Sequence, residues 1–319
     1  VSARAWRTGF AAALATLALL AAGLPARAQQ GGLDYGLAPQ RIADGVYALI
    51  GSTEDFSATN GGNIVNTGFI VGSEGVVVID TGPSLRYGEQ LRQAISAITP
   101  LPVVLVINTH HHPDHVFGNQ AFAPATLAAL PETRRALEAE GADLLENMYR
   151  LNGAWMRGTG MALPERMLEA GPLDVGGRRL ELFVLSGHTP ADLAVLDVAS
   201  GTLFAADLVF HDRAPTTPHA DPERWQQSLD RLERIPFRHL VPGHGAVAAD
   251  AAPIAQTRDY LRWLGQTLRD GAEQGLDMTE MLALEVPARF EHLAGAATEY
   301  RRSVIHLYPA AERAALQGR

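Results

Sequence analysis

The chain of 319 residues contains no cysteine and no lysine; all 26 of its basic residues are arginine. Without cysteine there are no disulfides, no thiolate metal ligands and no thiol nucleophile. Without lysine, Schiff-base chemistry and a lysine-bearing phosphate loop are closed off. The Gly-x-Ser-x-Gly turn that presents a serine nucleophile is absent as well. Positive charge is in short supply: 35 acidic residues against 26 basic give a formal net charge of −9. A nucleic-acid groove needs concentrated positive charge, so no nucleic-acid partner is expected. What remains is 47% hydrophobic and 19% charged, the composition of a large packed α/β core and not of a disordered chain.

Residues 1–28 read as a secretory signal. Arg4 and Arg7 form a basic start, Gly9 to Leu24 is an apolar run, and Ala26-Arg27-Ala28 offers small residues where a signal peptidase needs them. An uncleaved anchor is the competing reading, but a spanning helix needs about 20 apolar residues, more than this run offers. Arg4 and Arg7 are not adjacent, so the signal is not of the twin-arginine type. Removing Arg4, Arg7 and Arg27 would take the charge from −9 to −12. The expected product is periplasmic, with no stable membrane insertion after cleavage.

Downstream, residues 29–39 form a short leading segment, 40–250 the main domain and 251–319 a C-terminal extension. Short β-type runs at 45–50, 64–71 and 75–79 are separated by glycine turns, as in an antiparallel start. Val76 to Ile79 and Val103 to Ile107 are continuously apolar and predict strands buried on both faces. A helix is expected from Leu85 to Ile98, stopped by Pro100 and Pro102. Residues 124–171 read as mainly helical. Strands follow at 180–185, 193–196, 203–206 and 239–241, with an amphipathic helix from Trp225 to Ile235 and helical pattern from Pro253 to Tyr308.

Chemistry-bearing residues fall at the C-terminal ends of these strands. Val103–Ile107 runs into Asn108-Thr109-His110-His111-His112-Pro113-Asp114-His115, the next strand into Ser186-Gly187-His188, another into Asp207, and the last into Pro242-Gly243-His244-Gly245. Strand ends point into one rim of a sheet, where a rigid scaffold fixes their separations. Five histidines and two aspartates so placed are the nitrogen and oxygen donors zinc takes when thiolate is missing. His219, His239, His292 and His306 lack that setting and read as structural or solvated.

These motifs, in this order, resemble the metallo-β-lactamase superfamily from about Gln40 to Gly245. The resemblance implies an αββα sandwich, here with a C-terminal helical extension. It implies that His110, His112 and His188 bind one metal, that Asp114, His115 and His244 bind a second, and that Asp207 bridges them. It also implies that Asp80, in Asp80-Thr81-Gly82, braces the metal-bearing loop without being a ligand. His111 occupies a variable position. Asp207 stands where the antibiotic-resistance lactamases have Cys or Ser, so the pattern is closer to glyoxalase II, and lactamase activity of the clinical type is not expected. Three further stretches, Asn60-Gly61-Gly62-Asn63 to Gly72, Phe210 to His219 and Arg302 to Pro309, are similar to the quinoprotein relay system zinc metallohydrolases. That resemblance implies a functional link to a quinoprotein dehydrogenase using pyrroloquinoline quinone.

Two Zn2+ ions would lower the pKa of a shared water and polarise the bond under attack, with Asp114 as catalytic proton acceptor. The expected reaction is hydrolysis of an ester, thioester, amide or lactam in a small-molecule substrate. His211 and Arg213 are substrate-binding candidates; the planar fork of Arg213 suits an anion, and the alternative is an ordinary surface ion pair. Residues 52–63 are either a flap over the metals or a plain loop, and the C-terminal helices either line the pocket or cover the sheet. A mononuclear iron dioxygenase of the same fold, with one Fe, and a non-catalytic metal-dependent binding protein are the competing functional readings.

Overall fold

The computed structural model describes residues 33–317. Of the two units into which the chain divides, the second, Tyr35–Arg319, is compact and holds nearly all the described residues. The expected signal segment, residues 1–28, lies outside the described residues. Among the described residues no helix is long and apolar enough to cross a membrane.

The second unit begins with strands β1 (Gln40–Ala43), β2 (Val46–Leu49), β3 (Thr67–Val71) and β4 (Val76–Ile79), helix α1 (Leu85–Ile98) and strand β5 (Val103–Ile107). A one-turn helix α2 (Pro113–Val116), strand β6 (Thr126–Ala129), the long helix α3 (Pro131–Asn152) and a two-residue strand β7 (Arg166–Met167) complete the first half. The second half carries β8 (Gly171–Val175), β9 (Arg178–Leu185), β10 (Asp192–Asp197), β11 (Thr202–Phe210), α4 (Pro222–Glu233) and β12 (His239–His244). Helices α5 (Ala252–Gln274), α6 (Met278–Ala283) and α7 (Ala296–Gln317) follow.

One sheet has the order β1-β2-β3-β4-β5-β6-β7 and the other β12-β11-β10-β9-β8. The first is antiparallel up to β4 and parallel from β4 to β7; the second is antiparallel except for the parallel pair β11–β12. Strand alternation explains the sandwich. In β4, Val77 and Ile79 point between the sheets, where they join Leu105, Ile107, Leu193, Val195, Phe204 and Val241. Val76 and Val78 point the other way, onto Tyr87, Leu91 and Ile95 of α1. Trp225, Leu229 and Leu232 of α4 cover the outer face of the second sheet together with Ile254 and Leu261 of α5. The fully apolar β4 is thus buried on both faces.

Local signals set the helix starts. Ser84 caps α1 by accepting from the Tyr87 N–H, and Asp221 caps α4 by accepting from the Glu223 and Arg224 N–H groups, with Pro222 at its first position. Asp277 and Glu280 form a reciprocal capping box on α6. The C-terminal helices have their own apolar cluster around Tyr260, Leu264, Met281, Tyr300 and Tyr308.

The structure corrects the helical reading of residues 124–171. Helix α3 occupies the middle, but Thr126–Ala129 is a strand paired with β5 on one side, and Arg166–Met167 pairs with it on the other and ends that sheet. An Ala/Leu run favours a helix locally; Pro131 and the open edge of β5 override it. Strand β8 contains Pro172 and lies at the sheet edge, where the ladder tolerates proline.

Candidate metal centre

Strands β4, β5, β9, β11 and β12 all finish at one rim of the sandwich, and the two sheets are tied together there. Leu193 donates its N–H to the Thr109 carbonyl, and Asn66 donates its backbone N–H to Gly243 O and its amide to Pro242 O and Gly245 O. His110 to His115 follow β5, His188 follows β9, Asp207 sits in β11, and His244 ends β12. All seven ligand candidates are buried.

Two backbone distortions aim the acidic groups. Asp80 has φ 57° and Ala206, just before Asp207, has φ 47°. A left-handed backbone at a residue with a side chain costs energy and persists where its surroundings enforce it. Asp80 uses that conformation to brace the metal-bearing loop. Its carboxylate accepts from the Thr109 N–H (2.8 Å), the Thr109 hydroxyl (2.7 Å) and His115 Nδ1 (2.8 Å). Ala206 interrupts the β11–β12 register and turns the Asp207 carboxylate toward the rim. Gly243 makes room for it, because a Cβ there would lie 1.9 Å from Asp207 Oδ1.

The imidazoles are oriented from behind. His110 Nδ1 lies 3.1 Å from Thr109 Oγ1, whose own proton goes to Asp80, so Nδ1–H donates and Nε2 keeps its lone pair. His115 Nδ1–H donates to Asp80, and His244 Nδ1–H to the Ile64 carbonyl at 2.6 Å. His110 Nε2, His115 Nε2 and Asp207 Oδ1 are buried without a hydrogen-bond partner.

These inward atoms converge. His188 Nε2 is 2.8 Å from His112 Nδ1 and 3.3 Å from Asp207 Oδ2. His110 Nε2 is 4.0 Å from the same oxygen. On the other side, His115 Nε2 is 3.1 Å from Asp207 Oδ1, and His244 Nε2 is 3.1 Å from Asp207 Oδ2 and 3.6 Å from Asp114 Oδ2. Ligands about 2.1 Å from a tetrahedral zinc stand about 3.4 Å apart, so this donor spacing fits such ions. The structure therefore brings together a group of His110, His112, His188 and Asp207 and a group of Asp114, His115 and His244. Asp207 reaches both.

The electrostatics call for cations. Burial pushes His110 and His112 far below the ordinary imidazole range, helped by their histidine neighbours, and pushes His188 down to about 3. Neutral imidazole is the ligand form. Burial also lowers His115, but the Asp207, Asp114 and Asp80 carboxylates outweigh it and raise this group well above its usual value. Burial raises Asp207, yet His244 and His115 hold it well below the carboxylate range. An ionised carboxylate between two sets of imidazole nitrogens is an anionic socket.

A cavity of about 290 Å³ opens over this socket, lined by His112, Asp114, Asp207 and His244 on its polar side and by Phe56, Ile64, Leu144 and Leu151 on its apolar side. Arg213 lines it too, but is buried, and it is not a surface pair: Nη1 donates to the Glu54 carbonyl and Nη2 lies 3.5 Å from buried Glu299 of α7. His211 does not line this cavity; its Nδ1–H donates to the Ala246 carbonyl. Residues 52–63 are held at several points. Trp155 Nε1–H donates to Ala58 O, Arg213 and Arg302 hold Glu54 and Asp55, and Gly61 packs so tightly that a Cβ would sit 2.4 Å from the Trp155 ring. Helix α7 reaches the cavity through Arg302.

Asp192 and Glu140 were not singled out from sequence, and His219, read there as structural or solvated, lies against His112 in the cavity wall. Asp192 accepts from the His188 N–H and from the Thr189 N–H and hydroxyl, and burial pushes it up to about 7. Thr189-Pro190-Ala191-Asp192 is a local turn motif that could have flagged it. His219 and Glu140 meet the site only through tertiary packing.

The model of the metallo-beta-lactamase superfamily matches residues 60–244, more than half of the chain and all seven ligand candidates. The chain belongs to that superfamily. Among its curated relatives is a linear primary-alkylsulfatase of Pseudomonas sp. (strain ATCC 19151), 23% identical over 268 residues, covering 70% of this chain and 49% of the relative. A hydroxyacylglutathione hydrolase of Synechococcus sp. (strain JA-3-3Ab) is 30% identical over 135 residues, covering 42% of this chain and 46% of the relative. The chain thus spans about half the length of these superfamily relatives. Among solved structures, a metallo-beta-lactamase from Pontibacter korlensis overlays with a TM-score of 0.59 at 22% identity, over 71% of this chain and 99% of its own. The stereoselective inverting sec-alkylsulfatase Pisa1 from Pseudomonas sp. gives 0.68 at 16% identity, over 86% and 50%. Both likenesses are of fold.

Proposed function

We propose that the protein is a dinuclear zinc hydrolase that cleaves an ester-type bond (ester, thioester, amide or lactam) in a small-molecule substrate. Two zinc ions, when bound, supply Lewis acidity toward the bond under attack and make a water nucleophilic near neutral pH. The chain's own residues do the rest. His110, His112 and His188 would hold one ion and Asp114, His115 and His244 the other, with Asp207 shared. Asp114, buried in the cavity wall, is positioned to orient the attacking water and take its proton. Phe56, Ile64, Leu144 and Leu151 exclude bulk water and offer an apolar wall for the substrate.

The observation that carries the reading is the anionic, fully buried donor set with Asp207 between its two halves, directly beneath an open cavity. Seven donors favour two ions over the one iron of a dioxygenase, and an open cavity favours turnover over a closed structural site. Relatives named for hydrolysis of alkyl sulfates and of hydroxyacylglutathione support the reaction class and add sulfate esters to the candidates.

We extend the proposal to a functional link with a quinoprotein dehydrogenase in the periplasm. Its support is that all three stretches of that sequence resemblance border the cavity, through Ile64, through Arg213 to His219, and through Arg302.

The test is metal analysis combined with a hydrolysis screen of esters, thioesters, lactams and alkyl sulfates. Two zinc per chain and turnover that disappears in His110→Ala and drops sharply in Asp114→Asn are expected. One iron per chain, or zinc-loaded protein that binds ligands but turns over none, would reject it.

A further inference from the structure

His112 is the one ligand candidate whose outer nitrogen is held by another histidine. Its Nε2 lies 2.8 Å from His219 Nδ1, and His219 Nε2 lies 3.2 Å from Glu140 Oε2. His219 sits in the loop between β11 and α4, and Glu140 on α3, so the chain of contacts joins three separate parts of the fold. The loop is fixed nearby, because Thr217 donates its hydroxyl to Ser303 of α7 at 2.7 Å.

Proton placement along this chain follows from reading His112 Nδ1 as the ligand atom. His112 faces His188 Nε2 through Nδ1, so Nδ1 is its metal-binding lone pair and Nε2 carries the hydrogen. That hydrogen can only be accepted by a lone pair on His219 Nδ1. His219 must then carry its own hydrogen on Nε2, the nitrogen that lies 3.2 Å from the Glu140 carboxylate. An alternative in which His219 Nε2 binds a further ion would put hydrogens on both facing nitrogens of the His112–His219 pair. The same carboxylate oxygen is 3.7 Å from His111 Nε2, beyond hydrogen-bond reach.

We propose that His219 and Glu140 are positioning residues of the metal centre. Glu140 fixes the tautomer of His219, and His219 fixes the tautomer and ring plane of His112 so that Nδ1 faces the first ion. Outer-sphere partners of this kind orient a ligating imidazole and raise its basicity, and losing one costs about 10–100-fold in metal affinity. The proposal rests on the reading of His112 as a ligand.

The experiment measures zinc dissociation constants by chelator competition, and the visible spectrum of the cobalt-substituted protein, for the full chain and four variants. His219→Ala is expected to weaken one of the two zinc equivalents about 10–100-fold and to shift the cobalt bands. His219→Asn, whose amide oxygen can accept the His112 proton, should restore most of both. Glu140→Ala should weaken the same equivalent by less, and His112→Ala should lose it. Wild-type affinity and spectrum in His219→Ala, alongside a lost equivalent in His112→Ala, would overturn the relay and leave the metal reading standing. Two full-affinity equivalents in His112→Ala would overturn that reading itself. Three zinc per chain falling to two in His219→Ala would also overturn the relay, making His219 a ligand.

Discussion

Asp80 shows how much of this centre lies in residues that hold no metal. Its buried carboxylate accepts three hydrogen bonds from Thr109 and His115. Asp80→Ala leaves those donors buried and unmatched, which costs about 3 kcal/mol or more in stability. It also frees His115, so zinc affinity should fall about 10–100-fold; thermal unfolding and chelator competition measure the two effects. An unchanged melting temperature would mean the loop is held by something else. Protons act at the same scale. In the metal-free protein His110, His112, His188 and His111 all have folded pKa values below their unfolded value of 6.5, His188 near 3 and His111 near 4, chiefly through burial. The folded state then binds fewer protons than the unfolded chain, so stability is fully present above pH 6.5 and is lost as pH falls toward 3–4. His115 is shifted upward and contributes in the opposite sense. The raised carboxylates Asp192, at about 7, and Glu299 act in the same sense as His115. The four lowered imidazoles outnumber these three, so the metal-free protein should melt lower at pH 5 than at pH 7.5, and equal melting temperatures would contradict this. At this scale the motif residues were legible because each lies within a few positions of an apolar strand end, and strand ends converge. Glu140 and His219 were not, because nothing local marks a glutamate on a helix and a histidine after a proline as neighbours.

At the scale of elements, the strands that periodicity missed are those that tertiary pairing decides. Thr126–Ala129 has a single β-branched residue, Thr126, in an otherwise Ala/Leu sequence, and becomes a strand because β5 leaves a parallel edge open. Strands β4 and β5 were plain in the sequence because four or five β-branched and leucine residues in a row suit burial on both faces. The C-terminal helices were legible as helices, but their attachment was not. Helix α7 is anchored by buried Glu299 against buried Arg213, with Arg302 and Asp55 completing the ion-pair group. Removing one partner of such a pair leaves a buried charge uncompensated. Glu299→Ala should therefore cost about 3–5 kcal/mol. Replacing both partners by apolar residues, as in Arg213→Met with Glu299→Leu, should recover much of that loss. A denaturant titration of the three proteins checks the order, and a double variant as unstable as Glu299→Ala would show that the charges themselves are needed.

Across the whole molecule, the two sheets contribute unequal shares of one site. His110, His112, Asp114 and His115 follow a strand of the first sheet, while His188 follows a strand of the second and Asp207 and His244 lie in two others of it. In the proposed arrangement each ion is bound by donors from both sheets, so the metals clamp the rim that the Leu193–Thr109 and Asn66–Gly243 hydrogen bonds already join. An ion that binds only the folded chain stabilises it by mass action, by about 2.7 kcal/mol when free metal is one hundred times the dissociation constant. For a domain of this size each kcal/mol moves the melting temperature by roughly 2–4 °C. Stripping the metals with a chelator should therefore lower melting by roughly 5–10 °C, and zinc, but not magnesium, should restore it, since nitrogen donors suit the first and not the second. His110→Ala, which removes a donor from one sheet, and His188→Ala, which removes one from the other, should each shrink this chelator-sensitive shift. If either variant kept the full shift, the first ion would be held by one sheet alone, and the clamp between the halves would have to be abandoned.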